Sequence, residues 1–294
     1  MTPDSRGKVL ITGAGGQLGL ELQGTAPGTW LVVPCTSADL DITDHWAVQA
    51  VLDRERPAVV INAAAYTGVD AAEREADRAH DVNVEGAAHV AEGASRTGAR
   101  MIHLSTDFVF DGAQGRPYTP TDRPSPLAIY GRTKLAGEQA VQRCAPSALI
   151  VRTAWIYSKH GQNFVLKMLR AMEERAEVHV VSDQVGAPTW ARSVAAALWA
   201  AVGHPDFRGI HHWTDAGVAS KYDFAVAVQE EALAIGLLSR AVPIRPIRSH
   251  QYPTPARRPS FSVLDTSSTR ECLAMAAPHW RVNLRHMLRE LRSE

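Results

Sequence analysis

Tyr130 and Lys134 stand four residues apart in Tyr130-Gly131-Arg132-Thr133-Lys134, a spacing that stacks two side chains on one helix face. An ammonium beside a phenol stabilises the phenolate and lowers the tyrosine pKa, so the hydroxyl can exchange a proton near neutral pH. Taken alone, the pair reads as an exposed helix contact. Its weight comes from Ser105-Thr106-Asp107-Phe108-Val109-Phe110-Asp111-Gly112, which follows an apolar run and so falls at the carboxyl end of a strand. There a Thr106 hydroxyl can bond a carbonyl oxygen while Tyr130 protonates it. The plainer role for Thr106 is to satisfy backbone groups at the strand end.

Two further segments point to a dinucleotide. Val9-Leu10-Ile11-Thr12-Gly13-Ala14-Gly15-Gly16-Gln17-Leu18-Gly19 is an apolar run ending in glycines three apart, then a helical pattern. That order lets a pyrophosphate lie on backbone N–H groups at a helix start, with Gly13, Gly15, Gly16, Gln17, Leu18 and Gly19 as its contacts. The spacing is a variant of the usual dinucleotide fingerprint, and a glycine-rich turn without ligand is the alternative. Asn62-Ala63-Ala64-Ala65-Tyr66-Thr67 offers three small side chains after another strand. Ala63, Ala64 and Ala65 would let a nucleotide lie close, or would simply pack strand on helix.

NAD usually calls for an acid after the second strand and NADP for a nearby arginine. Cys35-Thr36-Ser37 carries neither, and Asp39 and Asp41 follow slightly later. Weak discrimination is therefore expected, with NADPH used and NADH competing, and with Asp41 and Ile42 as adenine-side contacts.

Positioning these residues takes a parallel sheet. Short apolar runs at 8–12, 30–34, 59–62, 100–105 and 148–153 alternate with helical patterns at 17–23, 44–55, 78–97 and 130–143, which predicts an α/β, Rossmann-like doubly wound fold. Beyond Trp155 proline-punctuated loops surround helical stretches at 164–175 and 220–231. We read residues 1–155 as the dinucleotide-binding domain, and 156–294 as mainly a smaller C-terminal substrate-binding lobe with room to interleave with the sheet.

The 294 residues hold 31 basic and 31 acidic side chains, so no global field recruits nucleic acid or an anionic membrane. Cys35, Cys144 and Cys272 lie far apart, which argues against a disulfide framework or structural zinc and fits a reducing cytoplasm. No apolar stretch approaches the ~18 residues that span a bilayer, and the polar start at residues 1–6 lacks a signal peptide's apolar region. His211 and His212 alternate across an expected strand and are not read as metal ligands.

With these motifs the chain resembles the extended short-chain dehydrogenase/reductase superfamily and, within it, the dTDP-4-dehydrorhamnose reductase family. The closer resemblance rests on Asp39-Leu40-Asp41-Ile42-Thr43, Ala65-Tyr66-Thr67 with Val69-Asp70 and Glu73, Ser105 to Gly112, and Val151-Arg152-Thr153 with Trp155. It extends through Asp183-Gln184, Gly186, Pro188-Thr189 and the stretch Tyr252-Pro253-Thr254-Pro255-Ala256-Arg257-Arg258-Pro259.

The resemblance implies hydride delivery from a reduced nicotinamide to the C4 ketone of dTDP-4-dehydro-L-rhamnose, the last step of dTDP-L-rhamnose synthesis. Tyr130 would protonate the oxygen, Thr106 orient it, and Lys134 hold the nicotinamide ribose. Thr67, Val69, Asp107, Phe108 and Trp155 would face the substrate, with Asn163 and Arg257 on its diphosphate side.

Three departures stand out. Phe108 replaces a common tyrosine, Lys221 replaces a tryptophan, and His211-His212-Trp213-Thr214 differs from the usual lead into that segment, which puts lobe packing in question. Some relatives dimerise through magnesium held by acids, one of which would match Glu21. Arg192 at the partner position repels a metal, so a monomer or weak homodimer with no bridging metal is expected. Competing functions are another nucleotide-sugar ketoreductase or epimerase, and a non-catalytic dinucleotide-binding subunit resembling that of methionine adenosyltransferase. Retention of Thr106, Tyr130 and Lys134 together favours an enzyme.

Overall fold

Val9, Leu10 and Ile11 are each within 1% of complete burial, which a strand achieves only when both faces of its sheet are covered. They belong to β1 (Gly7–Thr12). The computed structural model describes residues 7–293, so the polar start at 1–6 lies outside the described residues. The neighbours are β2 (Trp30–Cys35), β3 (Val59–Asn62), β4 (Arg100–Thr106) and β5 (Leu149–Thr153), all parallel. Each lies within one residue of the expected ends.

Between them run α1 (Gln17–Gly24), α2 (His45–Glu55), α3 (Val69–Ala72), α4 (Ala76–His80), α5 (Ala87–Thr97) and α6 (Ile129–Cys144). The helix expected over 78–97 is broken by a π-helical turn, Asp81–Gly86, which separates α4 from α5. The extra residue in that turn carries the buried Asn83. Its carboxamide accepts from the Tyr66 N–H (2.9 Å) and donates to the Tyr66 carbonyl (3.2 Å) and the Thr133 hydroxyl (3.1 Å). The loop after β3 is thereby tied to α6.

The second half contains β6 (Ile156–Tyr157), α7 (Phe164–Glu174), β7 (Val178–Val181), β8 (Val185–Gly186), β9 (Thr189–Trp190) and α8 (Ala191–Val202). After them come β10 (Gly209–His212), β11 (Ala219–Ser220), α9 (Lys221–Ala234), β12 (Ile244–Ile247), α10 (Ser267–Leu273) and α11 (Trp280–Arg292).

Two of these elements return to the first unit. β10 pairs in parallel with β5, so the sheet order is β10-β5-β4-β3-β1-β2. α8 is apolar almost all round and shares a core with β1 and α1. Val194, Leu198 and Trp199 pack among Val9, Ile11 and Leu22, and the Trp199 indole donates to the Leu22 carbonyl at 3.1 Å. A cut at residue 155 therefore does not separate two folding units. The rest of the second half forms its own core around Tyr157, Met172, Phe224, Trp280, Leu284 and Met287.

Candidate active site

A cavity of about 820 Å³ opens where the carboxyl ends of β1, β3, β4 and β5 meet the second lobe. Its floor begins with the glycine loop. Gly13 has φ +66°, and a Cβ there would lie 2.6 Å from the Ala64 nitrogen; one on Gly19 would lie 2.4 Å from the Gly13 carbonyl. Only bare backbone lets this loop press on the Ala63–Ala64 segment while α1 starts directly beneath it. Gly16 caps α1 with no side chain, so the first-turn N–H groups of α1 have no side-chain partner there, as an anion site requires. Gly13, Gly15, Gly16, Gln17, Leu18 and Gly19 all line the cavity, with Ala63, Ala64, Ala65, Asp41 and Ile42.

Both acids after β2 are occupied by their own turns. Asp39 accepts from the Thr36 backbone N–H and hydroxyl (2.9 and 2.6 Å), and Asp41 from those of Thr43 (2.9 and 2.8 Å). Neither is poised to select one dinucleotide. The glycine cradle and the bare helix start fit the pyrophosphate of a nicotinamide dinucleotide.

Next along the wall are Thr106, at the end of β4, and Tyr130 and Lys134, in the first turns of α6. The Thr106 hydroxyl donates to Asp107 Oδ1 (3.0 Å) and accepts from the Phe108 N–H (3.2 Å), and it lies beside the Tyr130 phenol. Phe108 meets the Tyr130 ring edge-on at 5.5 Å. α6 can approach this turn because position 131 is glycine: a Cβ there would sit 2.2 Å from the Phe108 carbonyl.

The expected depression of the tyrosine pKa is corrected here. Burial pushes the Tyr130 phenol up to about 12, the Asp107 charge adds to the rise, and the Thr106 hydroxyl only partly offsets them. Lys134 donates to the Leu104 carbonyl at 2.6 Å, and its own pKa is pushed down to about 8 by burial, with Glu138 opposing. Desolvation of the phenolate therefore sets the direction of the Tyr130 shift, and Lys134 is not among its causes. The phenol is held in its protonated form.

Beneath the site, Arg152 on β5 grips Glu138 on α6 through bonds of 2.8 and 2.7 Å, and Ser105 donates to the same carboxylate at 2.5 Å. Asn62 on β3 accepts from Thr12 (2.7 Å) and contacts the buried His103 ring (3.2 Å). These bonds fix β1, β3, β4, β5 and α6 in one register behind Thr106, Tyr130 and Lys134.

Thr67, Val69, Asp107, Phe108 and Trp155 also line the cavity. Trp155 has φ +48° and lies against bare backbone at Gly186, where a Cβ would come within 2.5 Å of the indole. Such strain in a non-glycine residue is kept at sites that over-determine it.

Asn163 and Arg257 are not on the wall. Asn163 is buried as the N-cap of α7, accepting from the Leu166 N–H (3.2 Å) and donating to the Ser158 carbonyl (2.7 Å) and Gln17 (3.0 Å). Its polar atoms are spent on closing a loop. Burial alternates along 256–258, which sends Arg257 outward and brings Arg258 to the cavity, paired with Asp70 at 2.7 Å. Sequence reasoning missed Arg258 and Lys221 as wall residues, although both lay in segments it had singled out.

Arg192 donates to the buried Glu21 at 2.8 Å, closing that position with an ion pair, and the described residues contain no group of three or more His, Cys, Asp or Glu able to hold a metal.

The whole described chain, residues 7–293, matches the family described as RmlD substrate binding domain. The dTDP-4-dehydrorhamnose reductase of Mycobacterium tuberculosis (strain ATCC 25618 / H37Rv) is 44% identical over 283 residues, 93% of this chain and 90% of that protein. Its counterpart in Escherichia coli (strain K12) is 39% identical over 291 residues, 96% and 97% of the two chains. The crystal structure of dTDP-4-dehydrorhamnose reductase from Bacillus anthracis, in complex with NADP, superposes with a TM-score of 0.92 at 35% identity, covering 97% of this chain and 99% of that one. The likeness thus runs along nearly the full length, and the chain belongs to the RmlD family of dTDP-4-dehydrorhamnose reductases.

Proposed function

We propose that this protein reduces the C4 ketone of dTDP-4-dehydro-L-rhamnose to give dTDP-L-rhamnose, using NADPH and accepting NADH. The observation that carries the reading is the convergence of Thr106, Tyr130 and Lys134 on the wall of the one cavity that the glycine loop also lines. Names of full-length relatives and the NADP of the Bacillus anthracis structure support it.

When bound, the reduced nicotinamide supplies a hydride to the ketone carbon. The chain's residues manage the oxygen. Thr106 turns its hydroxyl hydrogen from Asp107 to that oxygen, and Tyr130 transfers its phenolic proton as negative charge develops, leaving a phenolate that regains a proton from solvent. Lys134 holds the nicotinamide ribose and stabilises the transient phenolate. The Gly13–Gly19 loop and the start of α1 hold the pyrophosphate, Ala63 to Ala65 make room for the nucleotide, and Asp41 and Ile42 border the adenine. Thr67, Val69, Phe108 and Trp155 shape the sugar end. On this reading the protein acts in the cytoplasm, as a monomer or weak homodimer, without nucleic acid.

The test follows NADPH oxidation with dTDP-4-dehydro-L-rhamnose made in place by the preceding epimerase, alongside GDP and UDP keto-sugars. Turnover of the dTDP substrate is expected. Turnover confined to another nucleotide, or none at all, overturns the assignment.

A further inference from the structure

Lys221 is the first residue of α9, and its side chain lines the cavity. Nothing in α9 explains a lysine there. A cation in the first turn opposes the helix dipole, and capping is already done by Ser220 and Asp223 bonding reciprocally. The ammonium lies 3.3 Å from the centroid of the Trp155 ring and 5.0 Å from that of Phe164. A cation on an indole face is favourable but satisfies none of its N–H donors. Among the described residues the ammonium has no hydrogen-bond partner and no close ion pair. Burial pushes its pKa down to about 7, Arg258 adding to the fall and Asp107 opposing it.

Asp107 presents the complementary deficit. It is buried, its Oδ2 has no hydrogen-bond partner, and burial pushes its carboxyl up to about 6 against the pull of Ser262, Thr106 and Lys221. Buried polar groups are normally satisfied, so an unpaired oxygen on buried Asp107, on one cavity wall with a half-buried lysine that has no hydrogen-bond partner among the described residues, points to a ligand that completes both. A phosphate would meet the lysine but be repelled by the aspartate. A hydroxyl suits both, because its oxygen accepts from the ammonium and its hydrogen is donated to the carboxylate. Asp107 also bonds Thr106, which places this pair beside the reacting ketone rather than at the far nucleotide end.

We propose that Lys221 is a specificity-determining residue of the sugar subsite, its ammonium donating to a ring hydroxyl of the keto-sugar while Asp107 accepts from the sugar's hydroxyls. The assignment rests on the reductase reading above. Lys221 is then a fourth polar contact to the sugar, supplied by the lobe and added to those of Thr106, Tyr130 and Asp107.

Full-length Lys221→Met, Lys221→Gln and Lys221→Arg are compared with the parent protein in turnover and in calorimetric binding of dTDP-L-rhamnose and of dTDP alone. A hydrogen bond from a charged donor is worth about tenfold or more in affinity. Lys221→Met and Lys221→Gln should raise KM for the keto-sugar nucleotide and Kd for dTDP-L-rhamnose by that factor, with dTDP affinity within about twofold and kcat less affected than KM. Lys221→Arg should recover part of the loss. Equal weakening of dTDP would make Lys221 a phosphate contact and overturn the proposal, as would parent-like binding in both neutral variants. Those results leave the reductase reading standing; a parent protein inactive on the keto-sugar overturns that reading and the Lys221 role with it.

Discussion

Arg152 and Glu138 form a two-pronged ion pair with each side chain 1% exposed, directly behind the strand end that carries Thr106. Breaking such a pair on one side leaves the other charge buried and uncompensated, which costs about 3 to 5 kcal/mol. Glu138→Gln should therefore lower the unfolding free energy by that order in denaturant titrations. A loss below about 1 kcal/mol would show that water reaches the pair.

Tyr130→Phe removes the proposed proton donor and keeps the ring that Phe108 packs on. Turnover should fall by ~10²-fold or more, while NADPH affinity, read by fluorescence titration, stays within about twofold. Parent-like turnover would mean that another group protonates the ketone.

The glycine loop separates folding from binding. Gly13→Ala meets both a positive φ and the Ala64 backbone, so it should destabilise the protein by more than about 2 kcal/mol. Gly15→Ala meets only the Thr36 methyl at 3.6 Å and should melt close to the parent, yet bind NADPH more weakly because its methyl enters the cofactor's space. Equal nucleotide affinity in Gly15→Ala and the parent would remove Gly15 from the site.

Two buried histidines set an acid limit. Burial pushes His212 down to about 3 and His103 well below its ordinary 6.5. Both are neutral in the folded chain and take up protons on unfolding. Their stabilising contribution is thus complete above pH 6.5 and is lost as pH falls toward the folded values, by up to ~1.4 kcal/mol per pH unit for each. Between pH 6.5 and 5, His212→Gln should show a stability slope shallower by about one proton. An unchanged slope would place the protonation elsewhere.

Much of the site was legible because it depends on neighbours within a turn or two of chain. Strand ends came from apolar runs, the cradle from glycine spacing, and the shared face of Tyr130 and Lys134 from helical period. The π-helical turn at Asn83 was invisible, since its cause is a bond to Tyr66 seventeen residues away and another to Thr133. Arg258 and Arg257 were indistinguishable until burial showed which one faces the cavity.

By itself the sequence determined the parallel fold and singled out the glycine loop and the Tyr130–Lys134 spacing as candidates for the site, because periodicity and glycine placement act through local backbone geometry. Only the tertiary structure decided that Tyr130 stays protonated, that Asn163 caps a helix, that α8 and β10 rejoin the sheet, and that Lys221 meets Trp155. Those outcomes depend on solvent exclusion and on partners distant in sequence, and neither desolvation nor a long-range contact is encoded in any single stretch of residues.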